Sequence, residues 1–300
     1  MTGNTGNTGN TGNTGNTGNT GNAGTAGISG EFGGGWFIAD RVDLPFVTVI
    51  DPLGSANQLG QLPPIGMAAF SDRSWTARWY AWLVLHEFAP LAWMAPAQAA
   101  LAPILPINFA VEIANLFLAS RDERPDALAA IAAQDVEFIT YYMALLTITP
   151  GTHPMTYRLV HIASLIGSFG ALYFKGFYNI PRPSQLCPAL LPPVPMPGHA
   201  SFPSGHATQA HLMKRCIQQM LAASTTLSAA DQGRIMSNVT ALANSVARNR
   251  EIGGLHYASD SAGGSALADS LFDTLSNGGA GGSVPRYDAT VNAAAASEWS

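Results

Sequence analysis

THPMTYRLVHIASLIGSFGALYFKGFYN, residues 152–179, decides the fold class. Its apolar residues recur at helical spacing and do not alternate, so the stretch reads as one helix with Lys175 near its end. On its N-terminal side, SDRSWTARWYAWLVLHEFAPLAW (71–93) has a Ser71 or Asp72 cap and stops near Pro90. PAQAALAPILPINFAVEIANLFLAS (96–120) is broken by proline and then helical. ERPDALAAIAAQDVEFITYYMALLTI (123–148) opens with Pro125 in a first turn and reads as a single amphipathic helix running to Thr149. On the C-terminal side, a proline-rich loop precedes three further helices in residues 205–224, 228–253 and 256–275. Almost no strand pattern exists anywhere, which makes the chain an all-α bundle.

Outside this bundle the composition changes. Seven Thr-Gly-Asn repeats fill Thr2 to Asn22, and residues 1–35 read as a low-complexity tail, extended or disordered. Residues 36–69, apolar but rich in Gly and Pro, read as an irregular arm on the domain surface. The helical domain is placed at 70–275, with a Gly/Ala-rich C-terminal tail over 276–300.

Charged residues make up only 11% of the chain against about 25% in ordinary soluble domains, and 47% is apolar. That deficit suits wide buried helix surfaces, a homo-oligomer interface or membrane contact. The net charge of −5 and the absence of a basic run argue against nucleic-acid binding. The apolar stretches are interrupted by Pro103, Pro106 and Glu112, or by Arg158, His161 and Ser164, so no transmembrane span is expected and the chain reads as soluble. A polar start rather than an apolar h-region gives no recognisable signal peptide, and the compartment stays open. Cys187 and Cys216 fit neither a disulfide framework nor a metal-ligand spacing; they would bridge only if folded close together, and otherwise read as free.

Three motifs carry chemistry. KGFYNIPRP holds Lys175 and Arg182, SFPSGHATQAH holds Ser204, Gly205 and His206, and RNREIGGLHYASD holds Arg250, His256 and Asp260. Of only two lysines in the chain, one heads the first motif. An ammonium and two guanidinium forks would surround a tetrahedral oxyanion, and a Ser-Gly turn opening a helix would add a hydroxyl and backbone N–H groups. Two histidines remain to act as nucleophile and acid. Asp260 lies one helical turn beyond His256, on the same face if the helix starts there, and would fix its tautomer. Each motif alone has an ordinary structural use as a cap or surface pair. Together they point to one pocket.

The spacings Lys-x6-Arg-Pro, Pro-Ser-Gly-His and Arg-x5-His-x3-Asp resemble those of the type 2 phosphatidic acid phosphatase and vanadium-dependent haloperoxidase superfamily. That resemblance implies a helical bundle of that type. It further implies a phosphohistidine at His256, a general acid at His206, orientation by Asp260, and oxyanion binding by Lys175, Arg182, Ser204, Gly205 and Arg250. The phosphatase branch needs no cofactor, whereas in the haloperoxidase branch vanadate is bound with His256 as vanadium ligand, for bromide oxidation with hydrogen peroxide. Asn249 stands where the family has Ser, and Arg248 is an arginine at the wrong spacing.

Only 21 residues separate Arg182 from Ser204 and 43 separate His206 from Arg250, shorter than haloperoxidases generally have, and His-Tyr-Ala-Ser-Asp resembles the phosphatase version. These favour a phosphoester hydrolase. His199, five residues before Ser204, resembles a histidine of bromide-oxidising members and marks a halide or supporting position. A third alternative is an assembly protein that works through its Thr-Gly-Asn tail and keeps a vestigial site. The apolar loop QLCPALLPPVPMPG (185–198) borders the expected pocket and suits a lipid or aromatic ester. His86, His153 and His161 are read as structural or surface groups, and His211, five residues after His206 and so turned round the helix from that face, is left out of the site.

Overall fold

A computed structural model describes residues 72–278 and 282–299, so the tail and arm expected over residues 1–69 lie outside it. The described residues are all-helical: α1 (Ala77–Phe88), α2 (Met94–Leu101), α3 (Phe109–Asp122), α4 (Arg124–Val136), α5 (Ile139–Leu146), α6 (Pro154–Tyr178), α7 (Pro183–Leu186), α8 (Gly205–Ala223), α9 (Ala229–Ile252), α10 (Ala258–Asn277) and α11 (Pro285–Ser297).

The middle of the bundle is α8, packed against α6, α9, α10 and α11. Every residue from Gly205 to Met213 is buried although several are polar. Burial is tolerated because partners exist: the Thr208 hydroxyl donates to the Ser204 carbonyl at 2.8 Å and Gln209 Nε2 to Ser164 Oγ on α6 at 2.9 Å. Helix α10 approaches α8 closely through two glycines. A Cβ at Gly264 would stand 2.7 Å from Ala207 Cβ and 2.8 Å from the Ser204 carbonyl, and one at Gly263 would meet the Phe202 ring at 2.5 Å. This near-contact of the two helix starts brings His256 and Asp260 beside Ser204 and His206.

Two boundaries differ from the sequence reading. The helix expected to run unbroken through 123–148 is interrupted at Glu137 and Phe138. Glu137 adopts an extended backbone, and its carboxylate accepts the Thr140 amide at 3.1 Å, capping α5 and diverting the chain from a continuous helix. The expected tail over 276–300 is also corrected. Its second half is α11, with Tyr287, Val291, Ala294 and Ala295 buried against the core. Glu298, just beyond α11, accepts the Met155 and Thr156 amides at 2.6 and 2.8 Å, which caps the start of α6.

By length and composition alone, the stretch Pro154–Leu186 is apolar enough to cross a membrane, and Met94–Ile104 with Phe109–Asp122 passes the same measure only if the two helices, bent by 81°, count as one span. Within the protein, 72% of the apolar window of the first is buried. Its interrupting residues Arg158, His161 and Ser164 are buried too, with Arg158 stacked 4.0 Å above the Tyr80 ring. Cys187 and Cys216 are both free.

Candidate functional site

The three motifs meet at the N-terminal ends of α8 and α10. Lys175 comes from the last turn of α6, Arg182 from the N-cap of α7, Arg250 from the last turn of α9, and His256 from the turn before α10. All four are at most 3% exposed. His256 Nδ1 lies 2.8 Å from Asp260 Oδ2, and its Nε2 lies 3.4 Å from Arg182 Nη1. Because guanidinium only donates and a carboxylate only accepts, the proton belongs on Nδ1 and the lone pair on Nε2, which faces Arg182.

Each cation is held by main-chain carbonyls or a carboxylate. Lys175 Nζ donates to the Ala200 and Ser201 carbonyls at 3.0 and 2.6 Å, which leaves one N–H. Arg182 donates to the carbonyls of His199 at 2.9 Å and Leu255 at 2.8 Å. Arg250 is paired on one side only. Its Nη2 meets Asp135 Oδ1 at 2.7 Å, while Nε and Nη1 are buried without a partner. Ser204 caps α8, with Oγ accepting the Ala207 amide at 3.3 Å and its own amide donating to the Asp260 carbonyl at 2.9 Å. Neither bond uses the hydroxyl proton.

His206 is oriented differently from the simplest expectation. Its Nε2 lies 3.2 Å from the Gln134 carbonyl, so in the neutral ring Nε2 carries the proton, and any proton given to a ligand leaves from Nδ1. Its ring stacks on Phe138 at 5.4 Å. Asn249 explains itself at the same place: Nδ2 donates to Gln134 Oε1 at 2.9 Å, so this residue steadies the segment that holds His206. Arg248 points away to Glu123 and Glu251.

His199 stands between the site and a cleft of about 590 Å³ lined by Asn179, Pro181, Gln185, Met196, Pro197 and His199 itself. Part of the apolar loop 185–198 thus borders the opening. His199 Nδ1 lies 3.1 Å from Arg182 Nη2 and 3.0 Å from the Ala200 carbonyl, and it accepts from Arg182 only when the proton is on Nε2. His211 is buried on α8, with Lys214 and Asp269 as its charged neighbours. His161, edge-on to Tyr157 at 4.6 Å, and His153, whose Nδ1 lies 2.9 Å from the Thr152 hydroxyl, lie away from the site.

Electrostatics follow from burial among cations. Desolvation pushes His256 well below the usual imidazole range, and Arg182 and Lys175 push it further. Burial and then Arg250 do the same to His206, while burial and Lys175 take His199 down to about 4. Lys175 is lowered by burial and by Arg182, and Arg182 falls to about 10 chiefly through burial. Asp260 moves the other way, to about 6, because burial outweighs the Ser201 hydrogen bond and the Lys175 charge. At neutral pH the imidazoles are therefore uncharged, and a negative ligand would relieve the cation crowding.

No family model matches the chain, and no curated protein matches it in sequence. Among the described residues, no group of three or more His, Cys, Asp or Glu side chains is arranged to hold a metal ion. The motif spacings did not reveal four residues that complete the site: Asp135, Gln134, Phe138 and Ser201. The first three flank the α4–α5 break. Ser201 donates its hydroxyl to Asp260 Oδ2.

Proposed function

We propose that this chain is a phosphoester hydrolase of the type 2 phosphatidic acid phosphatase and haloperoxidase superfamily, working through a phosphohistidine. The observation that carries the reading is His256, its Nδ1 proton on Asp260 and its Nε2 lone pair beside Arg182, facing buried cationic donors of which two on Arg250 have no partner.

A phosphate group would take the free Arg250 donors, the remaining Lys175 N–H, Arg182 and the first amides of α8. His256 Nε2 then attacks phosphorus, the P–N bond forms and the ester P–O bond breaks. Asp260 supports the imidazolium, which keeps its Nδ1 proton. Since His206 is neutral in the free protein, its Nδ1 takes up a proton with the anionic substrate and passes it to the leaving oxygen. Water next attacks phosphorus and breaks the P–N bond, giving up its proton to His206 and releasing inorganic phosphate. The cations stabilise the added charge of both five-coordinate transition states.

Purified protein should hydrolyse an aryl phosphate without added metal. His256→Ala should lower that rate on the order of 10³-fold or more with the fold intact by circular dichroism. A variant that keeps a substantial fraction of wild-type turnover contradicts the assignment.

His199 favours a second reading, a vanadium-dependent haloperoxidase, because its ring meets Arg182 at the mouth of the site. The donors that suit phosphate also suit vanadate, with His256 Nε2 as the vanadium ligand. Bound vanadate would supply activation of hydrogen peroxide toward bromide. Bromide oxidation by vanadate-loaded protein above that of free vanadate, lost in His256→Ala, together with no aryl phosphate hydrolysis by vanadate-free protein, selects this branch.

A further inference from the structure

We infer that Ser201 is a positioning residue that ties the nucleophile's hydrogen-bond system to the cationic side of the pocket. The inference rests on His256 as nucleophile.

Ser201 is fully buried and uses each of its polar groups on a different segment. Its amide donates to the Ile180 carbonyl at 2.8 Å, two residues before Arg182. Its carbonyl accepts Lys175 Nζ at 2.6 Å. Its hydroxyl donates to Asp260 Oδ2 and lies 3.4 Å from His256 Nδ1. One residue thus touches the surroundings of all three motifs.

The hydroxyl matters because of how Asp260 is held. Oδ2 receives every bond the carboxylate makes: His256 Nδ1–H at 2.8 Å, the Tyr257 amide at 3.0 Å and the Ser201 hydroxyl. Oδ1 is buried and has no partner. A carboxylate satisfied through one oxygen has reason to rotate and share its bonds between both. Among the described residues, Ser201 is the only side chain besides His256 that donates to Oδ2 and opposes that rotation. A hydroxyl has a single proton, and His256 Nδ1 already spends its own on Asp260, so the Ser201 proton goes to the carboxylate rather than the ring. With Oδ2 pinned, Nδ1–H stays aimed at Asp260 and the lone pair on Nε2 stays aimed at the cations.

The test uses the full chain with ¹⁵N-labelled histidine. Wild-type His256 should give the ¹⁵N signature of a single Nδ1–H tautomer. In Ser201→Ala its two ring-nitrogen shifts should move toward each other as the tautomers mix. The same variant should lose roughly 10- to 100-fold in kcat on an aryl phosphate with KM nearly unchanged, as for loss of one hydrogen bond to a charged group. Ser201→Thr, which keeps the hydroxyl, should recover tautomer and rate together. If the extra methyl unfolds that variant, the ring shifts of Ser201→Ala decide alone.

Unchanged His256 shifts in Ser201→Ala overturn the inference, as does a loss of rate that Ser201→Thr shares in full while remaining folded. A wild type that hydrolyses no phosphoester, yet shows the tautomer change on loss of the hydroxyl, supports the positioning role and overturns the phosphatase reading. Hydrolysis by the wild type with no tautomer change does the reverse.

Discussion

The two ends of the site are finished to different degrees. At the His256 end, both ring nitrogens have neighbours and Asp260 Oδ2 accepts from three donors, with only the acceptor Oδ1 of that carboxylate unpartnered. At the Arg250 end, one fork nitrogen meets Asp135 while Nε and Nη1 are buried with nothing to bind. Orphaned donors on a buried charge are costly, so an anion that accepted from them would be held favourably. On the proposed reading, the contrast separates the nucleophile and its partner from the cationic donors that would bind the phosphate group.

Removing the Arg250 donors should have the larger effect of the two. Arg250→Ala should lower kcat/KM on the order of 10²–10³-fold, the scale for a donor aimed at transition-state charge. It should also weaken inhibition by vanadate, whose five-coordinate adduct resembles that transition state. Loss of turnover with vanadate inhibition unaltered would mean that Arg250 does not face the anion.

Asp260→Asn tests the other end. The amide keeps the shape but presents an N–H or a weaker acceptor to Nδ1, so kcat should fall on the order of 10²-fold while vanadate inhibition changes little. Equal damage to both readouts in both variants would erase the distinction between the two ends.

The smallest effect is a displacement along the pH axis. Asp260, raised to about 6, must be ionised to accept from His256, so kcat should decline as pH falls through that region. Lys175 holds the Asp260 pKa down, and Ser201, Tyr257 and Arg182 act in the same direction. Replacing Lys175 with Met removes a positive neighbour and should move the acid limb of the pH–rate profile upward. A limb that stays in place or moves down would show that another group controls it.

The finished end was largely legible in the sequence, because His256 and Asp260 are one helical turn apart and the spacing itself states the contact. Lys175, Arg182 and Ser204 were legible for the same reason, as local patterns at helix ends. Asp135 was not. It reaches Arg250 across 115 positions, from the last turn of a helix that the periodicity carried straight through to Thr149. A glutamate that caps the next helix broke that run, and side-chain capping leaves little trace in a hydrophobic pattern. Ser201 carried no signal beyond its nearness to Ser204. The all-α class came from periodicity, whereas α11 was hidden by its alanines. Only Tyr287, Val291 and Ala295, each four apart, hinted at a buried face.

The central claim is that His256 Nε2 is the atom that attacks phosphorus. Protein mixed with an aryl phosphate and quenched in alkali, which preserves phosphohistidine, should yield by mass spectrometry a phosphate adduct on the peptide carrying His256. The adduct should be absent from His256→Ala and should accumulate when the leaving group is activated. Steady hydrolysis with no adduct on that peptide, or with the adduct on another residue, would contradict the account.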